Sequence, residues 1–402
     1  MTATHPTPCR IGIDGGSVVG PRTGIGYSTA QLLNAMSARW PDDFGPAHVW
    51  VNSPRHELPD DSWRRSEHFR VSHTRWPGRA LMRSWQHLKW PKIERFVGPV
   101  DFVHAPSSYI PPVSSARRLL TVFDIYFKYA PHHTDAYGGK YFLKTFARGL
   151  ARMDHIIAIS EFTRSEMLRH YDLDPERITV IPLGVDTERF HTDGNRDEDV
   201  ALIEKLGLRR PYLLCVATAE PRKNLVTLIE AYARFRQIML AGSQQPPRLV
   251  IAGQPGWGIQ ALQERLAEAS IVEYVDLPGY VPSEALPSLY RQATAFVFPS
   301  LYEGFGLPAL EAMACGCPTL LAQAGSLPEV AGSAAMYFNP KASDHMARIL
   351  ARFIADPGLR GKMREKGYER IKQFTWDATA RATLDVYRHL LDLPKKSSPI
   401  AS

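Results

Sequence analysis

The chain has 402 residues, enough for two or three domains whose cores need no disulfide or metal. Its 44% hydrophobic and 22% charged residues exclude a disordered, collagen-like or coiled-coil chain. A formal net charge of +7 favours anionic partners such as phosphorylated substrates, acidic lipids or nucleic acid, without choosing among them. The four cysteines, Cys9, Cys215, Cys315 and Cys317, show neither zinc spacing nor a disulfide framework, so a reducing compartment fits. The first residues, MTATHPTPCR, lack an apolar core, and no apolar run reaches 18 residues. The expectation is a cytoplasmic chain without signal peptide or membrane span.

Short apolar runs predict strands at Arg10–Ile13, Ala47–Val51, Phe102–His104, Leu119–Phe123, His155–Ile159 and Ile178–Pro182. A second series covers Tyr212–Ala217, Arg248–Ala252, Ala295–Pro299, Pro318–Leu321 and Ala335–Phe338. Helical periodicity lies between them, as at Ser28–Trp40, Gly139–Met153 and Asn224–Met239. Strands alternating with helices imply parallel sheets covered on both faces. A polar stretch, Asp186–Pro211, interrupts the series and reads as a linker between two doubly wound domains. The expected organisation is 1–190, a linker at 191–210, a second domain at 211–375, and a helix and tail at 376–402. Within the last segment, Trp376–Leu391 reads as an amphipathic helix and Pro394–Ser402 as a frayed tail.

Four features carry possible chemistry. Residues 75–96, RWPGRALMRSWQHLKWPKIERF, interleave six cations with Trp76, Trp85 and Trp90. This pattern suits a helix on an anionic membrane surface. It also suits nucleic-acid stacking, or a helix covering the first sheet with its tryptophans in the core; the last is the plainer reading, and no nucleic-acid partner is expected. Glu220–Asn224 (EPRKN) follows a strand, and the adjacent cations Arg222 and Lys223 can neutralise a diphosphate; a basic helix cap is the plain alternative. Residues 299–318, PSLYEGFGLPALEAMACGCP, read as strand, glycine turn and helix. The amides of Gly304, Phe305, Gly306 and Leu307 would meet an anion at the helix N-terminus. Glu303 and Glu311, in E-x7-E spacing, each offer two acceptor oxygens that match a sugar diol; two solvated glutamates are the bland alternative. Asp172–Asp174 and Asp197–Asp199 form D-x-D pairs, read as solvated acids, and no metal site is expected.

The motif EGFGLP…EAMA…G-x-P, with IAISEFTRSEM (157–167), ITVIPLGVDTERF (178–190), ATAEPRKNLVTLIEAY (217–232) and PGYVPSEALPSLYRQATAFVFPS (278–300), resembles the retaining GT-B glycosyltransferases of group 1, the GT4-like branch. Its look-alikes include bacterial mannosyltransferases of O-antigen, capsule and exopolysaccharide assembly. The resemblance implies an α/β GT-B fold of two facing Rossmann-like domains with a cleft between them, the last helix returning to the first domain. It implies a nucleotide diphosphate sugar as co-substrate, GDP-mannose for preference, no cofactor or metal, and a glycan or polyprenyl-diphosphate-linked acceptor. Lipid-linked acceptors would put the protein on the inner face of the plasma membrane, through residues 75–96.

Residue by residue, the resemblance makes Lys223 the phosphate lysine, Glu303 the group facing the transferred sugar, and Glu311 the ribose ligand. Gly24 and Gly26 match a glycine loop near the donor phosphates; a plain tight turn is the alternative. Gly253, Tyr280 and Val281 match positions around the base. His104 and Asp124, at strand ends, are expected to face the cleft and touch donor or acceptor, each equally readable as structural. The alternatives are a catalytically inactive nucleotide-sugar or glycan-binding scaffold, or a GT-B phosphorylase or epimerase.

Overall fold

The computed structural model describes residues 9–20, 24–42, 44–106, 111–130 and 140–392. The chain divides into two compact units, residues 1–184 with 376–402, and residues 185–375.

In the first unit the strands are β1 (Ile11–Asp14), β2 (Ala47–Asn52), β3 (Phe69–Thr74), β4 (Phe102–Ala105), β5 (Arg117–Val122), β6 (His155–Ala158) and β7 (Ile178–Val180). They form one sheet in the order β3-β2-β1-β4-β5-β6-β7, and every pairing is parallel. Its helices are α1 (Gly24–Ser37), α2 (Gly78–His87), α3 (Glu94–Val97), α4 (Lys140–Leu150) and α5 (Glu161–His170). The helices of the second unit are α6 (Arg196–Lys205), α7 (Leu225–Ala241), α8 (Ile259–Glu268), α9 (Leu286–Gln292), α10 (Leu307–Ala314), α11 (Leu327–Ala331), α12 (Ser343–Ala355) and α13 (Pro357–Ile371). Its strands β8 (Tyr212–Val216), β9 (Arg248–Ala252), β10 (Val275–Gly279), β11 (Ala295–Phe298), β12 (Thr319–Ala322) and β13 (Ala335–Phe338) form a parallel sheet in the order β10-β9-β8-β11-β12-β13. The last helix, α14 (Trp376–Asp392), belongs to the first unit.

Both sheets are α/β and parallel, as the alternation predicts, with two or more helices packed on each. The central strands are continuous apolar runs because helices cover both faces. In the first unit α1 and α14 cover one face, where Ile11, Ile13, Leu33, Met36, Leu384 and Tyr387 share a core. Trp50, Leu81, Trp85, Ile93 and Val103 form a separate cluster. Two strands escape the sequence reading, β3 (FRVSHT) and β10 (VDLPG). Both are sheet edges, so they are half-solvated and carry polar residues, and β10 also contains Pro and Gly.

Three other readings change. Helix α1 starts at Gly24, four residues before Ser28, so Gly24 and Gly26 lie in its first turn. Residues 75–96 are two helices, α2 and α3, separated by a segment containing Pro91. The 191–210 stretch carries α6, whose N-terminus is capped by the Asn195 side chain accepting from the Asp197 and Glu198 amides. Residues 394–402, read as a tail, lie outside the described residues, as do Pro21–Thr23 of the glycine stretch and Gly139.

Candidate functional site

At the carboxyl edge of the second sheet, the turn after β8 is bolted to the segment after β11. Asn224 adopts a left-handed conformation (φ 58°) at the start of α7. Its side-chain amide donates to the Pro299 carbonyl at 3.1 Å and the Pro340 carbonyl at 2.7 Å. The Leu301 N–H donates to the Arg222 carbonyl at 2.7 Å. These bonds set Lys223 against the glycine turn. Lys223 Nζ donates to Glu303 Oε1 at 2.6 Å, and Arg222 Nη1 lies 3.5 Å from Glu303 Oε2. Arg222 Nε also donates to Glu220 Oε2 at 3.1 Å. The Lys223 ammonium lies 4.9 Å from the Phe298 ring centroid.

Glu303 is 8% exposed. Burial pushes its carboxyl up, but Lys223 and then Arg222 more than offset this and hold it below the ordinary carboxylate range. The turn that follows is shaped from behind. A side chain at Gly325 would come 2.8 Å from the Glu303 backbone, and one at Gly306 (φ 104°) would come 2.6 Å from Leu327. The Ser326 hydroxyl donates to the carbonyls of Glu303 at 3.0 Å and Phe305 at 2.7 Å. Gly306 then caps α10, with Pro308 in its first turn. Gly304 and Phe305 therefore precede a helix N-terminus, beside two cations.

Glu311 lies in the second turn of α10. Tyr290 donates its hydroxyl to Glu311 Oε2 at 3.1 Å. Burial lifts the Glu311 pKa to about 7; Asp186 adds to the rise, while Tyr290 and Arg189 oppose it. Thus Lys223, Arg222 and Glu303 come together, and Glu311 stands eight residues along the same motif. Gly253 (φ 153°) sits at the end of β9 because a Cβ there would strike the Ala217 carbonyl at 2.1 Å. Tyr280 is 62% exposed and Val281 is buried.

The first unit's candidates are placed differently. His104 is 1% exposed, its Nδ1 2.7 Å from the Tyr387 hydroxyl and its Nε2 2.8 Å from Thr121 Oγ1. Both nitrogens are engaged within the core and burial pushes the pKa down to about 3, which corrects the expectation of a side chain presented to a ligand. Asp124 accepts from the Tyr126 N–H at 3.0 Å. Among the described residues nothing lies within 4 Å of where a Cβ on Gly24 would stand. Asp199 also departs from expectation: it is 4% exposed and binds Arg291 through two 2.7 Å bonds, so it is a structural ion pair joining α6 to α9.

Sequence reasoning missed Asp14, Arg189, Tyr290 and Ser326. Asp14 ends β1, and burial lifts its pKa to about 6. Only Ser326 had a local signal, the AGSLP turn after β12; the others are brought in by tertiary packing. Among the described residues no three His, Cys, Asp or Glu side chains group as a metal centre would need, and no helix is long and apolar enough to cross a membrane.

Residues 201–370 match the family described as glycosyl transferases group 1, and residues 24–189 match Glycosyltransferase Family 4. The O-antigen chain mannosyltransferase B of Escherichia coli is 31% identical over 292 residues, which cover 72% of this chain and 75% of that protein. The serotype-specific mannosyltransferase WbdA of E. coli is 33% identical over 244 residues, 60% of this chain but only 29% of that protein. Among solved structures, sucrose-phosphate synthase from Thermosynechococcus elongatus aligns with a TM-score of 0.75 at 22% identity, over 95% of this chain and 99% of that one. WaaG, a glycosyltransferase involved in lipopolysaccharide biosynthesis, aligns with a TM-score of 0.69 at 16% identity, over 94% of this chain and 99% of its own. The fold is that of the GT-B glycosyltransferases. The chain belongs to the group 1 glycosyltransferase family and is a glycosyltransferase.

Proposed function

We propose that the protein moves a hexose, with retention of configuration, from a nucleotide diphosphate sugar to a hydroxyl of a glycan or lipid-linked glycan during bacterial surface-polysaccharide assembly. Mannose from GDP-mannose is the preferred donor, on the names of the E. coli relatives. The observation that carries the reading is the Lys223–Glu303–Arg222 cluster beside the N-terminus of α10. In this scheme the bond from sugar C1 to the phosphate oxygen breaks. The acceptor oxygen bonds to C1 from the same face, and its proton passes to the departing phosphate. Lys223, Arg222 and the turn amides take up charge on the leaving diphosphate, so no metal is needed for that step. Glu303, held ionised, faces the sugar and stabilises positive charge developing at C1. Glu311 holds the ribose diol.

The test is thermal stabilisation by GDP, UDP, ADP and their sugar conjugates, with and without EDTA. A ligand at ~100 times its Kd adds about 2.7 kcal/mol. A shift selective for one base, larger with one sugar and unaffected by EDTA, supports the reading. NMR of the product then reads the anomeric configuration. No shift with any nucleotide, with no product from any donor, overturns it.

The acceptor side includes an anionic membrane surface. Trp85 is buried beside Trp50, so part of residues 75–96 builds the fold, as the plainer reading expects. Trp76, Leu88 and Trp90 are 37%, 72% and 48% exposed, and Trp76 packs edge-on to Trp90 at 6.2 Å. Arg79, Arg83, Lys89 and Arg95 are exposed on the same segment. Exposed indoles rimmed by cations suit a headgroup layer. Replacing Trp76 and Trp90 with alanine should abolish sedimentation with phosphatidylglycerol vesicles; undiminished sedimentation refutes this partner.

A further inference from the structure

The amino edge of the second sheet, opposite the edge that carries Lys223 and Glu303, holds a cavity of about 410 Å³. Pro211, Thr294 and Pro318, which line it, directly precede β8, β11 and β12. A four-residue strand spans roughly 13 Å, so the two edges are well separated. Three guanidinium groups line this cavity: Arg210 before β8, and Arg360 and Arg364 one turn apart on α13.

Arg248 and Arg291 each grip a carboxylate, Asp276 and Asp199. Among the described residues Arg210, Arg360 and Arg364 have no ion-pair partner, and no Asp or Glu lines the cavity. Each makes one hydrogen bond to a neutral acceptor. Arg210 Nη1 donates to Gln292 Oε1 at 2.8 Å, Arg360 Nη2 to the Ile354 carbonyl at 3.3 Å, and Arg364 Nε to the Gly316 carbonyl at 3.1 Å. Arg360 Nε is buried with no acceptor at all. A guanidinium presents five donors in a planar fork that matches phosphate oxygens.

We infer that this cavity binds a phosphorylated small molecule carrying a diphosphate or two phosphate groups, at a second site distinct from the Lys223–Glu303 cluster. Three positive charges with no acid beside them match a polyanion. The volume lies within the range of small-molecule pockets. Pro211 and Pro318 supply an apolar wall, and Thr294 and Gln292 supply neutral polar groups. The inference does not depend on which sugar the enzyme transfers.

Binding of radiolabelled inorganic pyrophosphate to the full chain tests this, measured by equilibrium dialysis at constant ionic strength. Three variants are compared: Arg360→Gln with Arg364→Gln, Arg210→Glu, and Lys223→Ala. The first two should weaken one class of site at least ~10-fold, the loss expected for one or two charge-assisted hydrogen bonds. Both should leave GDP and UDP binding curves unchanged. Lys223→Ala should leave that class of site intact. Arg210 is exposed, so Arg210→Glu keeps the test alive if the double variant fails to fold. Slower amide exchange over residues 208–211 and 357–364 with pyrophosphate is expected as well. Unchanged pyrophosphate binding in the folded variants overturns the inference. So does displacement by chloride as effective as by unlabelled pyrophosphate.

Discussion

The two sheets bury ionisable groups near their strand ends in opposite ways. In the first unit His104 is surrounded by neutral partners, and burial alone decides its state: it is uncharged, with a pKa near 3. In the second unit Glu303 is nearly as buried, yet two cations keep it ionised. Burial without a counter-charge turns a group into core; burial with one stores a fixed charge where a ligand can meet it. Glu311 lies between these cases, with a pKa of about 7, because Tyr290 and Arg189 only partly offset desolvation and Asp186.

That contrast can be broken at four points. The largest effect is expected for Glu303→Ala: a fall in kcat on the order of 1,000-fold, with nucleotide Kd changed less than about threefold. Turnover within tenfold of the wild type would remove Glu303 from the chemistry. Glu311→Gln probes the intermediate case through stability. Since the folded-state pKa of about 7 lies above the ordinary 4.5, the protonated form is the one the fold favours. The stability it contributes is complete below about pH 4.5 and is lost as pH rises through about 7. Glutamine mimics the protonated form at every pH. The variant should match the wild type in urea denaturation at pH 4 and exceed it at pH 8 by on the order of 3 kcal/mol. Equal stability at both pH values would place Glu311 in ordinary solvent.

His104→Leu should cost about 2 kcal/mol, because the hydroxyls of Tyr387 and Thr121 lose their partner inside the core. Its kcat should stay within about twofold of the wild type; a large loss of turnover in folded protein would return His104 to the active site. The smallest effect is Gly24→Ala. A methyl group there meets nothing among the described residues, and alanine favours the first turn of α1, so stability should stay level or rise by up to about 1 kcal/mol. A donor KM raised about tenfold alongside unchanged stability is expected if a ligand approaches that backbone closely.

How far the sequence alone reaches differs between the same two regions. The Ala295–Ala314 segment was legible down to the helix start at Leu307, because strand, glycine turn and proline-led helix are local signals. The contacts that finish it were hidden: nothing local shows that Asn224 bonds to Pro299 and Pro340, or that Ser326 holds the turn from 23 residues away. Two other residues misled for the same reason. His104 read as a polar group at a strand end, and Asp199 as a solvated acid. Their partners, Tyr387 and Arg291, lie 283 and 92 residues away in the chain. The edge strands β3 and β10 were invisible because half-solvated strands lack the apolar run that marked the central ones.

The return of α14 to the first unit bears on how the protein is made. Tyr387 packs on Phe102 at 4.8 Å and bonds to His104, and Leu384 and Leu390 complete the same core. During synthesis β1 to β7 leave the ribosome long before this helix exists. At 5–20 residues per second, the intervening second unit occupies the ribosome for roughly 10–40 s. Throughout that interval the face of α1 and the ring of Phe102 await a partner still to be translated, an open apolar surface that chaperones are suited to shield. The first sheet to emerge is thus the last to have its core closed.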